Sequence, residues 1–315
     1  MGKRTHISWA DGTWNPWRGC TKISNGPLGA CVGCYAETLV RGRLQEDVWG
    51  DRPRKRAGAG TLDAPRLWNK NPVKHLWKGE GDPPADWRPF VFCLSLGDIF
   101  DNQVDPAWRA HAFQTMRETP NLTYLLLTKR PGNIPKLFAE TLTAAVRDAL
   151  QKTVPLGRSL WPSNAAIGCT VVTQAEADRD VPVLLAAKAA LNPAFAFVSM
   201  EPLMEEVDLM RLRVPGGVFD ALHGAWRGID GARRPDLCAH LDWVITGGET
   251  DQPPHTARIT PDGAFESLRD QCAAAGVPFH FKQHGEHQGG VRVGKRAPGY
   301  DLLDGVVHNA RPALR

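Results

Sequence analysis

Three cysteines fall close together near the start of the chain: Cys20, Cys31 and Cys34, in the stretch GCTKISNGPLGACVGCYAE. Thiols so near in sequence are read as a set, and three chemistries use them. A structural zinc site takes four protein ligands. Cys93 and Cys169 lie inside apolar runs and Cys272 on a helical pattern, where a buried, inert cysteine is the ordinary reading. The fourth zinc ligand then falls to the distant Cys238, to His6 or to an acidic residue. A Cys-x-x-Cys redox pair of the thioredoxin type uses Cys31 and Cys34 and leaves Cys20 without a role. Three thiolates also hold three irons of a [4Fe–4S] cluster and leave the fourth iron open to a substrate, as an open zinc position is. This third chemistry uses all three residues, and Tyr35 beside the last one would shield a cluster from water.

Such chemistry needs a scaffold with a pocket. Six short apolar runs supply candidate strands: Phe90 to Leu96, Thr123 to Thr128, Ala165 to Val172, Phe195 to Met200, Trp243 to Thr246 and Val277 to Phe281. They are nearly continuous rather than alternating, the pattern of strands buried on both faces. A seventh short strand is expected near Gly12 to Pro16. Helical patterns lie between them. Asp105-Pro106 opens PAWRAHAFQTMRET as cap and first residue. Thr173 caps QAEADRDVPVLLAAKAAL, which Pro182 should kink or divide. Thr260-Pro261 opens DGAFESLRDQCAAA, with Gly276 in the C-terminal left-handed position. Thr141 to Thr153 reads as a further helix. Sustained strand–helix alternation implies a parallel sheet. The expected fold is α/β, a parallel (β/α) barrel, partial or open, as one domain over residues 1–315. Two stretches, about 51–88 and 211–241, break the rhythm as irregular insertions.

In parallel α/β folds the site lies at the carboxyl ends of the strands. The residues following each run are polar there: Ser95-Leu96-Gly97-Asp98, Thr128-Lys129-Arg130, Thr170 with Thr173-Gln174, Ser199-Met200-Glu201-Pro202, Thr246-Gly247-Gly248-Glu249 and Lys282-Gln283-His284-Gly285. Some of these serve as ordinary loop and capping residues. Six in register suggest one polar pocket, with glycines that let a ligand approach the backbone.

Composition bounds the function. The chain has 315 residues, 42% hydrophobic and 23% charged, enough for a core and against wholesale disorder. A net charge of +4 neither requires nor excludes nucleic acid. No apolar run approaches the roughly 20 residues of a membrane span, and the N-terminal MGKRTHISWADG lacks the apolar core of a signal peptide. Seven cysteines, an odd count, argue against a disulfide scaffold. A soluble, cytoplasmic protein with reduced thiols is expected.

The words TWNPWRGCTKIS, CVGCYAE, LSLGDIF, LLTKRPGN, VSMEPL, DWVITGGET and AGVPFHFKQHG run in order over nearly the whole chain. In them the sequence resembles the radical S-adenosylmethionine (SAM) superfamily, and more narrowly a phage-associated family of radical-SAM-like proteins named for a three-cysteine motif. The common superfamily signature has three residues between its first two cysteines, whereas Cys20 and Cys31 here are separated by ten. The resemblance implies that Cys20, Cys31 and Cys34 ligate a [4Fe–4S] cluster. It implies that the open iron chelates the methionine part of SAM, and that an electron from an external donor leads to a 5′-deoxyadenosyl radical that abstracts hydrogen from the substrate. Carried over, Asp98 would hold the SAM amino group, and Thr170 and Glu201 the ribose or carboxylate. Gly247 and Gly248 would line the adenine, and Lys129 and Lys282 would neutralise the carboxylate or bind a substrate phosphate.

The resemblance leans toward a nucleic acid or nucleotide as substrate, for modification or lesion repair. One sequence feature agrees: Arg52-Pro53-Arg54-Lys55-Arg56, with Lys70, Lys74, Trp68 and Trp77, mixes cations and aromatics as phosphate contact and base stacking require. A solvated loop reads equally well. The other function class is a cluster- or zinc-stabilised binding protein without catalysis, an accessory of a phage or defence system.

Overall fold

A computed structural model of the chain describes residues 5–23, 26–143, 146, 159–231, 233, 234 and 239–314. Cys238 and most of the expected Thr141–Thr153 helix lie outside the described residues.

Seven strands form one all-parallel sheet: β1 (Gly12–Trp14), β2 (Phe90–Cys93), β3 (Thr123–Thr128), β4 (Ala165–Thr170), β5 (Ala196–Met200), β6 (Trp243–Thr246) and β7 (Phe279–Phe281). Each strand pairs with its neighbours in chain order, so the sheet is singly wound and curls into a half-barrel. All seven expected strands are present. The first apolar run stops at Cys93 because Leu94 takes a positive φ of 65° and turns the chain.

Both faces of the sheet are buried, which is why the runs are continuous. Val91, Tyr124, Leu126, Ile167, Val198 and Val244 belong to the large core cluster that includes the helices. Their alternates Phe90, Phe92, Leu125, Ala166, Phe197, Trp243 and Ile245 pack with Trp9 in a second cluster on the concave face. Successive residues of a strand point to opposite faces, so each strand feeds both clusters. Gly168 makes room on the concave side: a Cβ there would lie 2.5 Å from the Phe197 ring.

The flanking helices are α1 (Tyr35–Gly42), α2 (Pro106–Arg117), α3 (Ile134–Ala139), α4 (Gln174–Leu191) and α5 (Ala264–Ala275). Asp105 caps α2, accepting from the Ala107 N–H at 2.8 Å. Thr173 caps α4, accepting from the Glu176 N–H at 3.2 Å, and Glu176 in turn accepts from the Val172 N–H at 2.9 Å. α4 runs unbroken through Pro182, contrary to the expected division; its buried face over β4 and β5 outweighs one missing hydrogen bond. α5 starts at Ala264 rather than Pro261, because the Thr260 hydroxyl donates to the Leu203 carbonyl at 2.8 Å instead of capping. Gly276 holds the left-handed position expected of it.

The two insertions are ordered. Residues 51–88 carry short helices, Ala59–Leu62, Ala64–Lys70 and Pro72–Leu76, and a two-residue strand, Lys55–Arg56, paired with Trp17–Arg18. Residues 211–241 form a four-stranded antiparallel sheet from Leu212–Val214, Gly217–Asp220, Ala225–Gly228 and Arg233–Arg234. Among the described residues no helix is long and apolar enough to cross a membrane.

The edge strands β1 and β7 are not paired with each other. The chain ends join them instead. The C-terminal segment runs along β7, with an isolated bridge between His280 and Asn309 and the Phe281 N–H donating to the His308 carbonyl at 2.9 Å. It then delivers Arg311 to Asp11, beside β1, with guanidinium–carboxylate distances of 2.9 and 3.2 Å. Asp11 also accepts from the buried Phe90 N–H at 2.7 Å. Asp11→Ala leaves that N–H unsatisfied, so a loss of about 1–3 kcal/mol is expected, read as a lower urea midpoint with an unchanged denaturant slope.

Candidate functional site

The alternation that fills the concave face continues past the strand ends. Two residues beyond Leu127 stands Lys129, two beyond Gly168 stands Thr170, and Glu201, Gly247 and Lys282 occupy the matching positions on β5, β6 and β7. Pleating thus turns five of the predicted site residues to one side of the sheet at its carboxyl end.

The cysteine loop is fastened over this end at several points. The Gly19 N–H donates to the Leu96 carbonyl at 3.0 Å, next to Cys20. On the far side Glu249, buried after β6, receives Arg258 through Nε at 2.8 Å and Nη2 at 2.6 Å. Arg258 Nη1 then donates to the Pro27 carbonyl at 2.8 Å. His255 lies 3.2 Å from Glu249 and under Gly33, whose absent Cβ would fall 2.1 Å from the imidazole. Gly33 therefore packs the Cys31–Cys34 turn flat onto the loop after β6.

Lys129 is the electrostatic centre of the arrangement. Burial opposes its charge, but Cys31, Cys34, Cys20 and the Asp98 carboxylate together hold its ammonium above the usual lysine range. All three thiols thus act electrostatically on one cation. The Cys20 thiol is pushed up to about 12, first by burial and next by the Asp98 charge, with Arg130 opposing. Arg130 Nη1 lies 3.6 Å from the Cys20 sulfur and 2.9 Å from Asp98. Burial alone raises Cys93 and takes Cys272 to about 12, and Cys169 is raised mainly by burial, as inert core thiols. Among the described residues no three His, Cys, Asp or Glu side chains are grouped closely enough to hold a single metal ion.

The remaining predicted residues take distinct places. Asp98 is buried, and its oxygens are occupied by the Thr128 hydroxyl at 2.8 Å, the Phe100 N–H at 2.9 Å and Arg130. Its observed work is to aim Arg130 at Cys20. Glu201 and Lys282 form an ion pair with each other. Thr170 is buried at the end of β4, without a hydrogen-bond partner among the described residues. Gly248 is required by the chain itself, since a Cβ would fall 1.8 Å from the His284 carbonyl oxygen. Tyr35 stands at the rim; burial raises its phenol, with Ser95, the Cys34 sulfur and Glu201 nearby. Ser95 in turn accepts from Asn15 at 3.0 Å. Asn15, Thr13, Trp14, Leu67 and Trp68 line a cavity of about 440 Å³ on the free side of β1.

The basic stretch 52–56 is not a free cationic loop. Arg54 is buried, bonds Asp101 at 2.6–2.8 Å, and donates to the Val48, Gly50 and Arg52 carbonyls and the Thr21 hydroxyl. Lys55 and Arg18 both bond Glu46, Arg52 pairs with Asp47, and Arg56 sits 5.8 Å over Trp108. Trp68 is buried, and Trp77 stacks edge-on against Trp87. Sequence reasoning named Arg54 as one cation of a basic stretch and Arg130 and Glu249 as polar strand-end residues, but not their structural roles, and it passed over Arg258. The clue to Arg54 was its neighbourhood of glycines and prolines, whose bare carbonyls need a donor.

A family model described as "Protein of unknown function (DUF5131)" matches residues 4–312. No curated protein and no solved structure matches the chain.

Arg54→Gln strands the Asp101 carboxylate in the interior and is expected to cost about 3–5 kcal/mol, whereas Arg52→Gln should stay within about 0.5 kcal/mol; urea unfolding distinguishes them. Glu46 carries the pH dependence of this corner. Arg18 and then Lys55 lower its carboxyl to about 2. With an unfolded value of about 4.3, its stabilisation is present above that pH and is lost as the pH falls toward 2. The stability gap between wild type and Glu46→Gln should therefore be widest at pH 6 and shrink between pH 5 and 2.

Proposed function

We propose a function for the chain, which belongs to the DUF5131 family: it is a radical SAM-type enzyme that acts on nucleic acid or a nucleotide. The observation that carries this reading is the Arg130 guanidinium, held 2.9 Å from Asp98 and 3.6 Å from the Cys20 sulfur, at the carboxyl end of a parallel sheet over which the loop bearing Cys31 and Cys34 is fastened. The curled sheet is then read as the open relative of a (β/α) barrel, in keeping with the superfamily resemblance.

The donor set fits a [4Fe–4S] cluster. Cys20, Cys31 and Cys34 lie on one loop fastened over the carboxyl end of the sheet, and three thiolates are the number that leaves one iron of a four-iron cube open. When bound, the cluster would supply the electron for reductive cleavage of SAM to a 5′-deoxyadenosyl radical.

The chain's own residues do the rest. Lys129 offsets the negative charge of three thiolates. Arg130, held by Asp98, donates to the Cys20 sulfur, the kind of contact that tunes iron–sulfur potentials. Lys282 and Glu201 present a paired cation and carboxylate for the polar groups of SAM, and Thr170 adds a hydroxyl beside them. The cavity on the free side of β1 falls within the volume range of small-molecule sites. Through Asn15, Ser95 and Tyr35 it connects to the cysteine loop.

Anaerobic purification tests the reading. The expected protein is brown, holds about four irons, is bleached by dithionite, and yields 5′-deoxyadenosine from SAM under reduction. Cys20→Ala, Cys31→Ala and Cys34→Ala should each lose the iron, and Cys272→Ala should keep it. A colourless zinc protein, or full iron retention in Cys20→Ala, overturns the assignment.

A further inference from the structure

A hairpin beyond β7 supplies a cationic surface of a different kind from stretch 52–56. His287–Gln288 pairs antiparallel with Val291–Arg292, and the tip is Gly289-Gly290. Both glycines have positive φ, 54° and 70°, the two-residue turn whose twist matches the strands. The ribbon is anchored at its base. Glu286 is buried; its N–H donates to the Glu249 carbonyl at 2.9 Å, and its own carbonyl accepts from Val293 and Gly294 at 2.9 and 3.1 Å. Arg292 forms an ion pair with Asp251. The base therefore rests on the same loop after β6 that clamps the cysteine loop.

The outer part has no internal partner. Residues 287–300 contain Arg292, Lys295 and Arg296 and no Asp or Glu. Lys295 and Arg296 are exposed, with no carboxylate within ion-pair distance among the described residues. Val291 and Val293 alternate with Arg292 and are 63% and 43% exposed. An anchored ribbon with glycines at its tip and two bare valines, followed by a turn that presents the unpaired cations Lys295 and Arg296, has donors for phosphate and apolar surface for sugars or base edges.

We propose that this hairpin is a docking surface for the phosphate backbone of a nucleic acid, placed beside the cysteine site. The assignment deepens the proposed function by naming where a polymeric substrate is held. It places the contact on Lys295 and Arg296 and not on stretch 52–56, where Arg54 is buried against Asp101, Arg52 and Lys55 pair with Asp47 and Glu46, and Arg56 sits over Trp108.

The test is a salt titration of wild-type protein and the double variant Lys295→Gln/Arg296→Gln on fluorescent single- and double-stranded oligonucleotides. Lys70→Gln/Lys74→Gln, on the surface of the other insertion, is the control. The expected result is tight wild-type binding at low salt that weakens linearly in log–log form. The hairpin variant should flatten that slope by roughly two units, one per lost phosphate contact, with an unchanged melting temperature and iron content. Equal slopes in wild type and hairpin variant, or the same loss in the control pair, overturn the surface. So does a wild type that ignores oligonucleotides and binds anionic lipid vesicles instead. Iron and 5′-deoxyadenosine are measured on the same preparations. A protein that binds oligonucleotide through the hairpin but carries no iron keeps this surface and loses the enzymatic reading, and the reverse result does the opposite.

Discussion

A guanidinium without access to water organises the region over the sheet. Arg54 and Asp101 are both almost wholly buried, and desolvating two charges is costly unless each finds further partners. Arg54 meets that demand by taking three backbone carbonyls from residues 48–52 and the hydroxyl of Thr21. The consequence is geometric. A segment rich in glycine, proline and charge, with little apolar surface of its own, is fixed around one donor, and the residue after Cys20 is fixed with it. The first cysteine is thereby positioned by electrostatics from beneath, while Cys31 and Cys34 are positioned from the opposite side by Glu249 and Arg258. The widened spacing between Cys20 and Cys31 becomes intelligible: the two ends of the loop are held by different walls of the half-barrel, and the intervening chain has to span them.

The second constraint is the unfinished sheet. Strands in chain order that bury both faces tend toward closure, yet β1 and β7 remain apart. Aromatic side chains on the concave face, Trp243, Phe197 and Phe90 among them, fill the lower interior in place of an eighth strand. The chain termini seal the gap at that level, with the Arg311 guanidinium both paired to Asp11 and 4.9 Å over the Phe90 ring. Nothing comparable crosses the carboxyl end among the described residues except the cysteine loop. The fold is closed where it is apolar and open where it is polar.

The sheet was legible in the sequence because two-sided burial writes itself as continuous apolar runs, and six such runs with one further short strand in order admit few topologies. Helix starts were legible where a cap residue had no competing partner, as at Asp105 and Thr173, and misread where it had one, as at Thr260. Strand-end residues were legible as a group, since parity alone turns Lys129, Thr170, Glu201, Gly247 and Lys282 the same way. Their individual partners were not, because a hydrogen bond from the Thr128 hydroxyl to Asp98 or a close approach of His284 to Gly248 joins positions tens of residues apart. Residues 52–56 show the limit most plainly. Five adjacent residues with four positive charges read as a surface for a polyanion, and only the fold reveals that Glu46, Asp47, Asp101 and Trp108 arrive to consume them. The turn after the hairpin at 287–292 carries only Lys295 and Arg296, a weaker sequence signal, and both are exposed without an ion-pair partner among the described residues.

Charge balance ties the site together. Three thiols, Asp98 and Glu201 face Lys129, Arg130 and Lys282. With Asp98 paired to Arg130 and Glu201 to Lys282, the ammonium of Lys129 is left among the sulfurs. If all three thiols ionised together, two negative charges would exceed this cation. Keeping Cys20 protonated, as its value of about 12 does at neutral pH, avoids most of that repulsion. Any electrophilic occupant of Cys20 must displace its proton to bind. Lys129 lowers the cost of that exchange by staying charged throughout, since its own titration lies above the usual lysine range. The same cation would be wasteful in a purely structural cysteine cluster, where a fourth neutralising ligand does the work. On the proposed reading, its presence beside three thiols suits an open, ligand-accepting centre.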